Sequence, residues 1–353
     1  MHDPSKRPKP RVLFIGGSMN QTTQMHQIAT ELGGDVEAWF SPFYGSGIVE
    51  VLYRLDLLDW TIAGGAWRRD TLAYFRDHGL ALDDHGRGLP YDLVVKCQDI
   101  IRQSNLDRAR VVLVQEGMTD PETLLFELVK RAPFLPRWLA STAATGLSHR
   151  YEKFCVASEG YRELFARKGV ARDKLVVTGI PNFDDMGRFA SSVALPIEGY
   201  VLVVTSDARE TFKLDDRMKF LRRARKIAQG RQLVFKLHPN ENRARAVREI
   251  ESLVPDALVV TDGKAEDYVA RAAVLVTEYS TCTYVGLALG KEVHSNFDVA
   301  ELRRLMPLQH GAAARNIADV CRELLGLPLA EGARKSLRHL SPPGRDAASS
   351  AAE

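Results

Sequence analysis

Two stretches in the second half of the chain combine an apolar, strand-like run with side chains that can hold an anion. The first stretch, residues 232–241, places Lys236 and His238 at the end of its apolar run. The second, residues 272–293, ends its run in three hydroxyl side chains: Ser280, Thr281 and Thr283. Ligands of open α/β sheets bind beyond the carboxyl ends of the strands. These two strand ends therefore predict a site for a phosphate-bearing ligand, in particular a nucleotide diphosphate.

Two carboxylates occupy similar positions in the first half of the chain. Asp99 and Glu116 each follow a run rich in valine and leucine. Parallel strands would bring both to one edge of a sheet, where a carboxylate can take a proton from a sugar hydroxyl as a general base. Alternatively, either carboxylate caps the next helix or pairs with Arg102 or Arg108.

A glycine turn follows the first apolar run of the chain. The segment RVLFIGG (11–17) is succeeded by residues 18–32, whose apolar positions recur at helical spacing. Strand, glycine turn and helix open many nucleotide-binding α/β domains, although the full G-x-G-x-x-G spacing is absent here. Gly16 and Gly17 either let the backbone approach a substrate in a cleft or simply permit a tight turn.

Composition narrows the class of protein. The 353 residues are too many for one ordinary core and predict two domains. The net charge of +3 is small and the basic residues are dispersed, which argues against a dedicated nucleic-acid binder. The four cysteines have no CxxC spacing, so neither a zinc site nor a disulfide framework is expected. Cysteines of this kind predict a reducing, cytoplasmic environment.

Changes in pattern along the chain predict its domain organisation. No apolar run reaches the roughly 18 residues that span a bilayer, and no signal-peptide core follows the polar N-terminus. The predicted segments are a disordered leader (1–10), an N-terminal Rossmann-like acceptor domain (11–186), a linker (187–199), a C-terminal Rossmann-like nucleotide-binding domain (200–330) and a disordered tail (331–353).

One segment, residues 122–140, mixes basic and large apolar side chains after an amphipathic start. These side chains are Lys130, Arg131, Phe134, Leu135, Arg137 and Trp138. Such a mixture can dock weakly on an anionic membrane surface, which would place the protein at the inner face of the membrane. It can equally form a loop folded onto its domain with the arginines solvated. No feature of the sequence predicts an oligomeric state.

Four segments, in this order, resemble the GT-B superfamily. They are QEG (115–117), GYRELFARKGVARDKLVVTGIPNFD (160–184), KLHPNE (236–241) and VLVTEYSTCTYVGLALGKEV (274–293). The chain is similar to two groups: the non-hydrolysing UDP-N-acetylglucosamine 2-epimerases, and the CDP-glycerol glycerophosphotransferases with related capsule glycosyltransferases. The resemblance implies an α/β, GT-B-like fold with two tandem Rossmann-like domains, mainly parallel sheets and an interdomain cleft.

Several residues carry over from these groups. Glu116 resembles the acidic residue of the epimerases' His-x-Glu-Ala-Gly segment, and Asp99 that of their Gly-Asp-Thr segment, although the flanking residues differ. His238 resembles the histidine that follows the first strand pair of the second domain in both groups. Ser280 and Thr281 resemble the residues that cradle phosphate before a helix.

Other positions distinguish the two groups. The epimerases continue with a paired Glu-Glu where this chain has Thr283 and Tyr284. The run Thr-Glu-Tyr-Ser-Thr (277–281) instead looks like the Thr-Asp-Tyr-Ser-Ser of the glycerophosphotransferase-type enzymes. The resemblance thus favours a metal-independent glycosyltransferase, or a glycerophosphotransferase-like transferase, of cell-surface glycan synthesis. An N-acetylhexosamine 2-epimerase and a catalytically inactive nucleotide-binding protein are the alternatives.

The expected partners are a nucleotide-sugar donor and a glycan or lipid-linked acceptor, and no nucleic acid. Lys236, His238 and Arg209 would neutralise the departing phosphate in place of a metal ion, so no metal or other cofactor is expected. Glu278 would bind ribose hydroxyls, and Glu116 or Asp99 would serve as base.

Overall fold

The computed structural model describes residues 8–55, 57–58, 61–132, 134–210 and 215–329. Most of the predicted leader and all of the predicted tail (331–353) lie outside the described residues. Among the described residues, no helix is long and apolar enough to cross a membrane.

Six apolar runs form a first sheet in which every strand pair is parallel. Leu13 and Ile15 pack into one core cluster, while Val12 and Phe14 pack into another on the opposite face. Burial on both faces explains why these strands are apolar throughout and do not alternate with polar residues. In spatial order the strands are β2 (Glu37–Ser41), β1 (Arg11–Ile15), β3 (Leu93–Lys96), β4 (Arg110–Val114), β5 (Lys153–Val156) and β6 (Leu175–Val177).

Five further runs form a second parallel sheet. Its central strands are the most apolar, and Val201, Leu202 and Val203 are fully buried. In spatial order the strands are β11 (Glu292–His294), β10 (Ala272–Thr277), β7 (Tyr200–Val204), β8 (Leu233–Lys236) and β9 (Leu258–Val260).

Helices connect the parallel strands, as parallel pairing requires. The helix predicted within residues 18–32 is confirmed, and Ser18 accepts a backbone N–H as its N-cap; Asn242 does the same for the helix Arg243–Leu253. The α-helices of the described residues are α1 (Met19–Leu32), α2 (Ile48–Arg54), α3 (Gly65–Asp77), α4 (Leu124–Arg131), α5 (Glu159–Lys168), α6 (Arg217–Ala228), α7 (Arg243–Leu253), α8 (Cys282–Ala288), α9 (Val299–Arg304) and α10 (Ala313–Leu325).

The order of strands in the second sheet creates a crevice at its carboxyl edge. The chain moves outward from β7 through β8 to β9, and then returns to place β10 on the other side of β7. Such a reversal of strand order is a topological switch point, where the loops diverge and leave room for a ligand. Here the crevice opens between the carboxyl ends of β7 and β10.

The last helix crosses back to the first sheet. Ile317, Val320 and Cys321 of α10 are buried in the core cluster that contains Val12 and Phe14. Arg322 anchors this helix by pairing with Asp35 at 3.0 Å. Thus α10, which the sequence pattern places in the C-terminal domain, packs against the first sheet. We refer to the first sheet, its helices and α10 as the N-terminal lobe, and to the second sheet with α6–α9 as the C-terminal lobe.

The two lobes are joined by buried contacts between α5 and the end of the C-terminal lobe. The hydroxyl groups of Tyr161 and Tyr284 lie 2.7 Å apart in a buried hydrogen bond. Ser158 donates its hydroxyl to the carbonyl of Leu305 at 3.0 Å. At Gly160, a Cβ atom would lie 2.2 Å from the carbonyl oxygen of Arg304, so only glycine permits this approach.

The position of α10 makes a prediction about stability. Replacing Ile317 with alanine should lower the free energy of unfolding by about 2–5 kcal/mol, because the change leaves a cavity against the first sheet. On the exposed side of the same helix, Glu323→Ala should change it by less than about 0.5 kcal/mol. Urea unfolding of both variants measures the difference, and equal values would show that α10 does not pack as described.

Candidate functional site

Glu116 lies just beyond β4 and is surrounded by side chains from the start of α1. Its Oε1 accepts the hydroxyl of Ser18 at 2.7 Å, and its Oε2 accepts the amide of Gln21 at 2.6 Å. Asn20 donates to the Glu116 backbone carbonyl at 3.2 Å. The half-buried carboxylate is therefore held in one orientation by these donors.

The two glycines of the first turn allow this arrangement. A Cβ atom at Gly17 would lie 2.5 Å from the side-chain oxygen of Gln21, the residue that binds Glu116. At Gly16 it would lie 2.7 Å from the hydroxyl of Thr22. Both glycines thus serve the close return of α1 onto β1, and Gly17 also makes room for the Gln21 side chain.

The carboxyl edges of the two sheets meet next to Glu116. The Met118 N–H donates to the hydroxyl of Thr281 at 3.3 Å. At Gly117, a Cβ atom would come within 2.8 Å of the same hydroxyl. Ser280, one residue away, accepts the N–H of Cys282 at 3.3 Å. The loop that follows Glu116 thus contacts Thr281 directly, and Ser280 is the next residue along the edge of the second sheet. We call the region where the two edges face each other the cleft.

The switch-point crevice of the second sheet is lined by polar side chains. Ser206, after β7, donates its hydroxyl to Glu278, after β10, at 3.3 Å. Burial, and then the negative charge of Asp215, raises the pKa of Glu278. Arg223 reaches the same region and donates to Asn296 at 2.7 Å.

His238 lies at the carboxyl end of β8, in the same edge, and its side chain is one-third exposed. Its Nδ1 accepts the N–H of Asn240 at 3.2 Å and lies 3.7 Å from a carboxylate oxygen of Asp207. Its own backbone N–H donates to Glu241 at 3.0 Å. The histidine ring is therefore oriented by its own loop.

A buried ion pair supports that loop. Glu241 and Arg217 are bonded to each other, and their side chains are almost fully buried. Glu241 also binds the His238 N–H, while Arg217 donates to the carbonyl of Ser206 at 3.1 Å. A single pair thus couples the loop after β8 to the loop after β7.

Two cations predicted as phosphate ligands have other partners. Lys236 is buried, and its Nζ donates to the carbonyls of Thr261 at 2.8 Å and Leu237 at 3.1 Å. Burial lowers the pKa of Lys236. Arg209 makes a bidentate pair with Glu249 at 2.8 Å and approaches Asp215 at 3.2 Å. In this structure neither side chain is directed at the cleft hydroxyls.

Two further predicted residues are also occupied or enclosed. Asp99 is buried, and its carboxylate accepts the backbone N–H groups of Gly146 at 2.9 Å and Ser148 at 3.0 Å. It thus stabilises the loop before β5 and is not brought to Glu116. The side chain of Thr283 is fully buried in α8, and its hydroxyl has no hydrogen-bond partner among the described residues.

Several site residues were not predicted from sequence. Ser18 and Asn20, which donate to Glu116, and the supporting pair Glu241–Arg217 all belong to this group. Ser18 carried a usable signal, since a serine directly before a helical run is a common N-cap. Glu241 carried none, because its partner lies 24 positions earlier.

The surface also has a cavity away from this cleft. A cavity of about 440 Å³ opens at the opposite edge of the second sheet, between residues 190–199, 270–273 and Lys291. It lies where strands begin, not where they end. Within the described residues, no group of three or more His, Cys, Asp or Glu side chains is arranged to hold a metal ion.

The raised pKa of Glu278 predicts a pH-dependent stability. The folded state holds the Glu278 proton more tightly than the unfolded state, so this contribution is present below the ordinary glutamate pKa and is lost as pH rises through the raised one. We therefore expect Glu278→Gln to match the wild type in free energy of unfolding near about pH 4 and to exceed it near about pH 8. Urea titrations at both pH values measure this gap, and a gap that did not widen with pH would contradict the assignment.

Comparison with known proteins identifies the fold. No protein-family model and no curated protein matches the chain. Solved structures do match. One is the S. aureus MnaA–UDP co-structure, with 10% identity and a TM-score of 0.56 over 90% of this chain and 98% of that one.

Two further matches represent the same two groups. UDP-GlcNAc 2-epimerase from Neisseria meningitidis bound to UDP-GlcNAc shares 12% identity, with a TM-score of 0.54 over 89% of this chain and 99% of that one. A variant of the wall teichoic acid polymerase TagF soaked with CDPG also shares 12% identity, with a TM-score of 0.51 over 91% and 89%. The fold expected from the sequence is confirmed: the chain has a GT-B-like fold, shared with UDP-N-acetylglucosamine 2-epimerases and TagF.

Proposed function

We propose that the chain binds a nucleotide-activated sugar, or a similarly activated alcohol, in the cleft and transfers the activated group to an acceptor. The observation that carries this proposal is the contact between Met118 and Thr281. It brings the buttressed carboxylate of Glu116 beside the carboxyl edge of the second sheet, where a switch-point crevice can hold a nucleotide. The solved relatives with this fold include proteins bound to UDP and UDP-GlcNAc.

In this proposal the nucleotide occupies the crevice between β7 and β10. Glu278 accepts hydrogen bonds from ribose hydroxyls, and Ser206 keeps its carboxylate in place. The hydroxyls of Ser280 and Thr281 donate to phosphate oxygens at the mouth of the cleft. His238, whose Nδ1 accepts the Asn240 N–H, donates its Nε2–H to a phosphate oxygen.

The chemical step is a displacement at the activated atom of the donor. Glu116 takes the proton of the acceptor hydroxyl, and the acceptor oxygen forms its bond as the bond to the leaving phosphate oxygen breaks. The nucleotide leaves with the electron pair of that bond. Donors fixed around Glu116 hold its carboxylate in place, which favours an oriented proton transfer.

Epimerisation is the second candidate, favoured by the Neisseria meningitidis UDP-GlcNAc 2-epimerase that shares the fold. One local feature supports transfer instead. At the position where the epimerases carry paired glutamates, Thr283 and Tyr284 are buried, and Tyr284 bonds to Tyr161. No carboxylate is present there to serve a second face of the sugar. A donor incubated alone distinguishes the two, since only an epimerase would produce an epimer detectable by NMR.

Nucleotide binding can be tested before the acceptor is known. Among UDP, CMP, CDP, GDP and their sugars, we expect at least one to raise the melting temperature, because it binds the folded state only. His238→Ala should weaken the binding of that nucleotide at least about tenfold, the loss of one charge-assisted hydrogen bond of about 1.5–3 kcal/mol. His78→Ala, an exposed histidine just after α3 in the N-terminal lobe, is the matched control and should bind normally. Equal binding by both variants would remove His238 from the site.

Turnover tests Glu116 separately. With water as a slow acceptor, Glu116→Gln should reduce release of the nucleotide from the donor by about 10²–10⁴-fold and change its Kd little, because the lost group is a base. Glu122→Gln, an exposed glutamate nearby, should leave both unchanged. We expect the activity to persist in EDTA. If the wild-type protein binds the nucleotide but releases none from the donor, with or without acceptors, the result would favour a catalytically inactive nucleotide-binding protein.

A further inference from the structure

The surface around α4 exposes large apolar side chains that a folded domain normally covers. Leu124 is 92% exposed, Leu128 52%, Phe134 86% and Trp138 49%. Leu124 and Leu128 are four residues apart and share one face of the helix. Leu125 is also exposed. We call these five residues the α4 surface.

The exposure of these side chains does not reflect loose packing of the helix. The opposite face of α4 is buried, and Phe126 and Val129 pack with Ala140, Ala143 and Ala144 in a separate core cluster. Thr123 caps the helix by accepting the Phe126 N–H at 3.4 Å. The helix is therefore docked on its domain by one apolar face and presents a second one outward. Clustered exposed apolar groups of this kind mark interaction sites.

The charges beside the α4 surface indicate what covers it. Lys130 and Arg131 are exposed at the end of α4, and Arg131 lies 3.9 Å from Glu127. Arg137 is turned inward and donates to the carbonyl of Asp99 at 3.2 Å. Aliphatic side chains, a tryptophan and a phenylalanine beside two exposed bases match a bilayer interface, where apolar groups enter the acyl boundary and bases contact anionic headgroups.

We propose that the α4 surface docks the protein on an anionic lipid bilayer. Leu124, Leu128, Phe134 and Trp138 enter the interface, and Lys130 with Arg131 contacts the headgroups. Docking on these side chains requires no nucleotide and no change of fold, because they are already exposed.

The location of this surface gives the docking a consequence. The chain runs from Glu116 directly into the loop that precedes α4, so the cleft and the α4 surface belong to the same end of the N-terminal lobe. Docking there would bring a lipid-linked acceptor to Glu116. That consequence rests on the proposed function, whereas vesicle binding tests the surface alone. The two can therefore fail independently.

The test is sedimentation with vesicles of phosphatidylcholine that contain about one-third phosphatidylserine, at low salt. The full chain should bind, and the doubly substituted Leu124→Ser, Phe134→Ser variant should bind at least about tenfold more weakly, since two exposed apolar groups no longer enter the interface. Val193→Ser, an exposed apolar residue before the second sheet, is the matched control and should bind like the wild type. Failure of the wild type to bind would overturn the proposal.

Two further measurements test the role of the basic side chains and the insertion of Trp138 into the bilayer. Lys130→Gln with Arg131→Gln should weaken binding to the anionic vesicles about tenfold or more, because each base contributes about 1 kcal/mol at such a surface. Brominated lipids should quench the fluorescence of Trp138, and Trp138→Phe should remove that quenching. Vesicle binding unaffected by the serine variant, or a dimer in sedimentation velocity that this variant dissociates, would assign the α4 surface to another partner and overturn the proposal.

Discussion

A parallel strand that is buried on both faces can carry polar side chains only where it ends. This constraint shapes the whole molecule. In both sheets the middle of each central strand is apolar, and the polar side chains lie at the strand ends. Ser206, His238 and Glu278 lie at three such ends in the second sheet, and Glu116 lies at one in the first. Wherever the two edges meet, a polar cleft must form.

The meeting of the edges is determined by contacts elsewhere. Tyr161 and Tyr284 bond through their hydroxyls in the buried junction between the lobes, and α10 crosses back to complete the first sheet. These contacts fix where Gly117 approaches Thr281. Within each lobe, the loops are then held by local devices: the donors of α1 around Glu116, and the Glu241–Arg217 pair behind His238.

The sequence predicted the fold well because the signal it relied on is local. Apolar runs that end abruptly mark buried parallel strands, and two series of them predicted two Rossmann-like sheets. The same pattern placed Glu116, Ser280 and Thr281 at strand ends, and the loop after Glu116 contacts Thr281 through the Met118 N–H. The sequence could not predict which sheet α10 packs against. Periodicity shows that a helix buries one face, but it does not identify the sheet that this face covers.

The direction of the charged side chains was harder to predict for a related reason. Lys236 ends a strand as expected, but its Nζ donates a hydrogen bond to the carbonyl of Thr261 on the neighbouring loop. Arg209 is held by Glu249, 40 positions later, and Asp99 by the backbone at 146 and 148. A buried charge must find partners, and here these partners come from segments that are distant in sequence. The sequence pattern thus identified which residues lie at the carboxyl edge of a sheet, but not the direction in which their side chains point.

In the proposed function, one nucleotide-bearing ligand contacts both lobes at their facing edges. Hydrogen exchange of the whole chain, followed by mass spectrometry with and without UDP, CDP or GDP, measures this most directly. A nucleotide that binds should slow exchange in residues 205–209 and 278–283 of the C-terminal lobe and also in residues 116–118 of the N-terminal lobe. Protection confined to residues 190–199 and 270–273, at the opposite edge of the second sheet, would contradict the claim.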